Sequence, residues 1–334
     1  MNRSAGFRLG TLAVIVVSAA ACSVWAQSSV LRYGQALSAH NSIYSLPVAL
    51  AAREGLFRRE GIDFRVVIPI PGGADRMIDA LHDDTVDVTH VAVPFLVRAA
   101  LAGSDAVAIA AEFNDPIYSL VARPEITRIA DLKGRTVGMA DPGGSITYSM
   151  RKLFALHGLR EGDLRTRIID GTPARLNCLR AGTCDAVPLG QPQDVSAQAE
   201  GYRLLGVSNE AVPEYLYTVT AARRSWAAAN AELVTRYVRA LAASFDIIRD
   251  PGRRAVVVAA IVDITGVPAS IAERVLDLYA QPGRKTLPRR AEIEIKGVAQ
   301  VIAFMVESGQ IRPPLPTPER FVDMSYLTRA GIRE

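Results

Sequence analysis

IDFRVVIPIPGGADRMIDALHDDTVDVTHVAVPFLVRAALAGSDAVAIAA, residues 62–111, changes hydrophobic period several times within fifty positions. Ile62, Phe64, Val66 and Ile68 recur at every second residue, the spacing that puts side chains on one face of a strand. Gly72-Gly73 then leads into a helix over 74–81. Residues 86–91 are again strand-like, Pro94 suits the first turn of a helix that runs to Ala102, and 107–111 is a further apolar strand. Strand and helix alternating over short connections predict an α/β chain with a largely parallel sheet covered by helices on both faces.

The same rhythm extends in both directions. Upstream, residues 30–34 form a short strand, and Asn41 or Ser42 caps a helix that runs to Arg53 and is closed by Gly55. Downstream, Asn114-Asp115-Pro116 separates off a second α/β set with strands at 118–122 and 136–139. Pro142-Gly143-Gly144-Ser145 then turns the chain into a helix with Tyr148, Leu153, Phe154 and Leu156 on one side. Residues 168–169 are a strand, Thr172-Pro173 starts a helix that Gly182 ends, and 186–189 and 204–205 are strands again. Residues 217–221 return to strand. Helices follow over about 231–249, 254–264, 268–280 and 291–308, and a Pro-rich segment at 313–318 wraps the end. A tail with so few strands needs a sheet to pack on. The chain therefore divides into one lobe of residues 28–116 plus 217–334 and a second of 117–216, joined by two crossings that leave a cleft able to open and close.

Composition sets the compartment. The 334 residues are 49% hydrophobic and 22% charged, with a net charge of +4, as suits a chain with a buried core. Residues 1–26 are expected to be a signal peptide: Arg3 and Arg8 precede an apolar run over 9–21, and Val24-Trp25-Ala26 offers small residues where a peptidase cuts. Lipidation of Cys22 and an uncleaved signal anchor are the alternatives. Without the two arginines the chain keeps 36 basic and 34 acidic residues, too even a balance to argue for nucleic acid. Later apolar runs are too short or too interrupted to span hydrocarbon. Cys178 and Cys184 remain, and in an oxidising compartment a disulfide closing the short loop between them is expected; no histidine stands nearby to complete a metal shell.

Several segments in order carry a resemblance. They are PVALAAREGLFRREG at 47–61, Gly72-Gly73 ahead of MIDALHDDTVDV, Asp131-Leu132-Lys133-Gly134 before RTVGM, Gly143-Gly144-Ser145 before a helix, and RLNCLRAGTCDAV at 175–187. Together they resemble the periplasmic solute-binding proteins of the ABC transporters that carry nitrate, sulfonates, taurine and pyrimidine thiamine precursors. The resemblance covers nearly all of the exported chain. It implies the type II periplasmic binding protein fold, with two α/β lobes and a mainly helical C-terminal tail packed on the first lobe. It also implies a monomer in the periplasm that hands a small-molecule solute to an inner-membrane ABC permease, with no cofactor and no metal. Two departures stand out: Asp84-Thr85-Val86-Asp87 and Ala181-Gly182-Thr183-Cys184-Asp185 replace the family's glycine, one residue and an acid before the following Asp.

In such a fold, solutes meet strand carboxyl ends and helix amino ends, where unpaired backbone N–H groups point outward. Gly73 and Ala74 in the first lobe and Gly144 and Ser145 in the second are such positions, although the glycines also serve tight turns. Asn41, Tyr44, Pro94 and Asn114 join the first set, with Asn41 equally a helix cap and Tyr44 able to stack on a ring or to pack. Thr147, Gln191 and, near the return crossing, Tyr215 join the second. Arg151 is expected to be solvent-exposed, and with no arginine placed in the cleft a strong dianion clamp is disfavoured. His40, His82, His90 and His157 have no metal-binding spacing; His40 could donate to an anion, and His90 suits a core position as well as a functional one.

The leading expectation is a receptor for a small organic solute, such as a sulfonate, carboxylate or pyrimidine, with no chemistry of its own. Porphobilinogen deaminase and the eukaryotic pyrimidine-precursor synthases share the broad fold. The first needs a cofactor-bearing cysteine and the second a concentration of His and Cys, neither of which this sequence offers. A sensory or accessory binding module is the other alternative, and fold alone does not separate it from uptake.

Overall fold

The computed structural model describes Met1 and residues 29–332, apart from 71–74, 116, 213 and 281–284. The expected signal segment, Cys22, Gly73 and Ala74 lie outside the described residues. Among the described residues ten strands form two five-stranded sheets. The first contains β1 (Ser29–Ala36), β2 (Ile62–Ile70), β3 (Val88–Ala92), β4 (Ala106–Phe113) and β10 (Thr218–Arg223), in the order β2-β1-β3-β10-β4. The second contains β5 (Ser119–Ala122), β6 (Thr136–Met139), β7 (Arg165–Ile168), β8 (Ala186–Leu189) and β9 (Arg203–Val207), in the order β7-β6-β8-β5-β9. Both follow one plan, largely parallel with one reversed strand: β10 runs antiparallel to β3 and β4, and β5 runs antiparallel to β8 and β9. In each sheet the reversed strand is the one that directly follows a crossing from the other. A chain arriving from the opposite sheet enters from the end at which the resident strands finish, so it must run against them.

The strand cores follow from composition. Every residue of β4 is buried, and its four alanines let helices approach both faces closely. Glu112 lies within this apolar strand because it is fully partnered: it accepts from Tyr33 and Thr220 and pairs with His90 Nδ1 at 2.6 Å. His90 is thus a satisfied core residue. The Ala231–Arg249 helix covers the first sheet through Tyr237, which stacks on Phe57 at 5.5 Å while Phe57 stacks on Phe64 at 4.0 Å. The helix expected over 291–308 begins only at Ile295, because Ala291 takes a left-handed φ of 67°. Leu156, expected on the apolar side of its helix, is 65% exposed.

The C-terminal tail does more than cover the first sheet. Its Ala269–Ala280 helix touches the Gln193–Ala199 helix of the second sheet, and Glu307 at the end of the Ile295–Glu307 helix accepts from Tyr148 and pairs with Lys152 of the Ser145–Leu156 helix. Among the described residues no single helix is long and apolar enough to cross a membrane.

Cys178 and Cys184 form a disulfide with Cα atoms 5.3 Å apart. It clips the Thr172–Arg180 helix to the start of β8 and packs in a small cluster with Val121, Leu179 and Val187. Closing a loop of this size restricts the unfolded chain by about 2 kcal/mol. Reduction with dithiothreitol, or the double substitution Cys178→Ala with Cys184→Ala, should therefore lower the midpoint of thermal unfolding by several degrees. An unchanged midpoint would place the pair outside the stabilising contacts.

Candidate functional site

Two chain segments cross between the sheets, and they are bonded to each other. The amide of Tyr217 donates to Phe113 O at 3.0 Å, the amide of Ser208 donates to Tyr118 O at 2.9 Å, and the Tyr118 amide donates back to Ser208 Oγ at 2.9 Å. Asp115 accepts from the Tyr215 amide at 3.4 Å. The crossings thereby place Phe113 and Tyr118 on one segment opposite Tyr215 and Tyr217 on the other.

Tyr44 fills the space between them. Ser42, and not Asn41, caps the short turn Ile43–Ser45 by accepting from the Tyr44 amide, which points the ring inward. The ring meets Phe113 edge-on at 4.9 Å and Tyr217 edge-on at 5.2 Å, and lies nearly parallel to Tyr118 at 6.1 Å. The hydroxyls of Tyr118 and Tyr217 are 3.1 Å apart. The Tyr44 hydroxyl is buried and stands beside the Tyr118 hydroxyl, but completes no well-formed hydrogen bond. Burial, reinforced by the hydroxyls of Tyr118, Tyr279 and Tyr217, holds its pKa well above the ordinary 10.0, so it remains a neutral donor.

Other orphaned atoms gather around this cluster. Among the described residues, the buried side-chain atoms without a hydrogen-bond partner are Tyr44 Oη, Asn114 Oδ1, Thr218 Oγ1, Thr286 Oγ1, Gln35 Nε2 and, on the Ala231–Arg249 helix beside Glu60, Arg236 Nε. Asn114 follows β4, and its amide donates to Thr286 O. Thr218 begins β10 next to Tyr217, and Gln35 at the end of β1 accepts from Ser45, the neighbour of Tyr44. An unpaired buried polar atom costs about 1–3 kcal/mol. Five around one aromatic cluster are too many for a finished core.

The second sheet contributes a polar chain. Tyr279 from the tail donates to Gln191 Oε1 at 2.7 Å, Gln191 Nε2 donates to Asp194 at 2.7 Å, and Ser119 donates to the same carboxylate at 2.7 Å. Burial raises the Asp194 pKa, while the bonds from Ser119, Gln191 and the Val195 amide oppose that rise. Gln191 therefore bridges the tail and the second sheet.

The remaining expected residues divide. Ser145 and Tyr215 are brought together, hydroxyl to hydroxyl, at 2.7 Å. Thr147 spends its hydroxyl on Ala140 O, and Gly144 is an extended N-cap of the Ser145–Leu156 helix. Pro94 is buried in the first turn of the Val93–Leu101 helix. Asn41 is exposed, at the end of the Leu37–His40 turn of helix, so its cap role passes to Ser42. His40 is half-buried, and burial lowers its pKa. Arg151, expected in solvent, instead lines a cavity of about 230 Å³ between the Ser145–Leu156 helix and β7, together with Met139, Phe154, Leu159 and Ile168. Of the expected site residues only Thr147 borders that cavity, which lies along an outer strand and apart from the tyrosines.

Sequence reasoning missed Tyr118, Tyr279 and Arg175. Arg175, which sequence reasoning did not place here, is only 2% exposed and lies near Tyr118, Tyr217 and Tyr44. Its signal in the sequence was slight, a charged residue on an ordinary-looking helix. Among the described residues no group of three or more His, Cys, Asp or Glu side chains could hold a metal ion.

Gly297 marks how tightly the tail grips the return crossing. A Cβ there would stand 2.8 Å from Leu216 N and 3.1 Å from Tyr215 C, both backbone atoms. Alanine favours a helix by about 1 kcal/mol over glycine, whereas overpacking costs about 1–3 kcal/mol. Gly297→Ala should therefore destabilise the protein in thermal unfolding. A gain in stability would show that the crossing can move away freely.

Comparisons with known proteins agree on the fold. The alkanesulfonate-binding protein SsuA from Xanthomonas axonopodis pv. citri, bound to MOPS, superposes with a TM-score of 0.71 at 17% identity, over 90% of this chain and 100% of that one. The nitrate-binding protein NrtA from Synechocystis PCC 6803 gives 0.73 at 12% identity, over 91% and 89%. The desulfurization enzyme DSZB gives 0.65 at 15% identity, over 90% and 98%, so the architecture is similar to binders and to an enzyme alike. No curated protein matches the sequence. The model of one family, NMT1/THI5 like, matches residues 42–253, and the chain belongs to that family.

Proposed function

We propose that the protein is the exported receptor of an ABC importer, capturing a small organic solute between two lobes and presenting it to an inner-membrane permease. The lobes are residues 28–116 with 217–334, and 117–216. One observation carries the reading: the orphaned polar atoms of Tyr44, Asn114, Thr218, Thr286 and Gln35 surround one aromatic cluster where the two sheets meet. Groups left unpaired at a junction are groups held ready for a ligand, which recovers their desolvation penalty when it binds. Closure of the lobes around the solute would create a composite surface that the open form lacks, and so tell the permease which receptors are loaded. The structural relatives that bind an alkanesulfonate and nitrate support a small solute as cargo. A cysteine-based enzyme on this fold finds no support, because Cys178 and Cys184 are joined to each other.

The cluster gives the reading a sharp test. Tyr44→Phe removes an unpaired buried hydroxyl and leaves the ring, so the unliganded protein should gain about 1 kcal/mol of stability. The same change should weaken solute binding about tenfold. Thermal unfolding and titration calorimetry on a panel of sulfonates, carboxylates, nitrate, purines and pyrimidines measure both effects. A solute at a hundred times its dissociation constant stabilises the native state by about 2.7 kcal/mol, an easily seen shift. Loss of stability without any change in binding would make Tyr44 a plain core residue.

A further inference from the structure

We infer that Arg175 is the charge anchor of the cleft, and that the solute is therefore a monoanion, a carboxylate or sulfonate carried on a small aromatic or apolar body. The inference deepens the receptor reading above and rests on it.

Arg175 lies in the first turns of the Thr172–Arg180 helix, and its side chain turns inward. Nε donates to Pro188 O at 2.8 Å, Nη1 to Ile169 O at 3.1 Å, and Nη2 to Thr172 Oγ1 at 3.0 Å. Each acceptor is neutral. A guanidinium has five N–H donors, so these bonds leave one on Nη1 and one on Nη2, the pair of nitrogens that can grip two oxygens of one acid group. No carboxylate among the described residues forms an ion pair with Arg175, whereas Arg32 pairs with Asp87, and Arg180 on the same helix pairs with Glu200.

The location fits an anchor. Gly190 sits between Tyr118 and Thr172: a Cβ there would lie 3.2 Å from Tyr118 Cε1 and 3.6 Å from Thr172 Oγ1, the atom that accepts from Arg175. The guanidinium thus adjoins the aromatic cluster at the carboxyl ends of β7 and β8. Burial lowers its pKa, while the hydroxyls of Tyr118, Tyr217 and Tyr44 and the Asp170 carboxylate work in the opposite direction. A buried cation with only neutral partners is a destabilising arrangement. If fastening two carbonyls were its only purpose, an uncharged donor would serve without that penalty. An acid group supplied by a solute would both pair the charge and occupy the two spare donors. One cation answers one negative charge, and the neighbouring rings of Tyr44, Tyr118 and Tyr217 offer aromatic faces against which the rest of the molecule would pack.

The test uses matched probes on the full exported protein: benzoate, benzenesulfonate and butanesulfonate, each beside its neutral amide or sulfonamide. Calorimetry on the wild type should show at least one acid binding about a hundredfold tighter than its neutral partner. Arg175→Met should erase that preference while the unliganded protein melts no lower than the wild type. Arg175→Lys, which keeps the charge and loses the fork, should retain part of the preference. A wild type that prefers the neutral members, or an Arg175→Met variant that keeps the preference, would overturn the anchor and leave the receptor reading standing. If Arg175→Met and Arg175→Lys both melt far below the wild type, and the wild type shows no preference for acids, Arg175 is a structural fastener. Binding of no probe by the wild type would likewise remove the anchor, while the wider solute panel judges the receptor reading separately.

Discussion

The mutual bonding of the two crossings is the constraint on which the other features depend. Tyr217 to Phe113 and Tyr118 to Ser208 tie the outgoing and returning segments together, so the sheets cannot be placed independently. The same bonds fix the direction of β5 and β10, which enter their sheets against the neighbouring strands. They also bring four aromatic residues to one place, because strand ends on either side of a crossing are the positions nearest the other sheet. The geometry that joins the halves therefore also gathers the aromatic cluster between them.

Around that junction the stabilising and the functional interactions can be told apart by whether polar groups are satisfied. In the core of the first sheet Glu112 is surrounded by His90, Tyr33 and Thr220, and nothing is left unpaired on that carboxylate. At the junction Asn114, Thr218 and Tyr44 hold unpaired atoms, and Arg175 holds a charge with neutral partners. A core can tolerate few such groups, since each removes stability comparable to a substantial fraction of the whole. Their concentration where two sheets meet is the observation on which the proposed binding site rests. The tail supports this site by reaching past its own sheet: Tyr279 holds Gln191, and Glu307 holds Tyr148 and Lys152.

Much of the fold was legible in the sequence because turn residues punctuate it. Strands at 136–139 and 186–189 and the helix at 231–249 have the expected bounds, each flanked by Gly, Pro, Asp or Asn. The reversal of β5 and β10 was not legible, since periodicity reports which face is buried and says nothing of which neighbour a strand will meet. The Gln193–Ala199 helix lacked an apolar stripe long enough to announce itself. In the site, Tyr44, Asn114, Gln191 and Tyr215 were visible as polar or aromatic residues beside strand ends. Asn41 was not distinguishable from Ser42 as the cap, and only one of the two turns inward. Arg175 was hidden because TPARLNCLR looks like a solvated helix, and its burial is a product of tertiary packing alone.

The most direct test of the central claim is a crystal structure of the exported protein with a solute identified by titration. The account predicts electron density for the solute packed against Tyr44, Tyr118 and Tyr217 at the crossings, within hydrogen-bonding distance of the Tyr44 hydroxyl. Density instead in the groove beneath the Ser145–Leu156 helix, beside Met139 and Phe154, with Tyr44 and Asn114 unchanged, would contradict it.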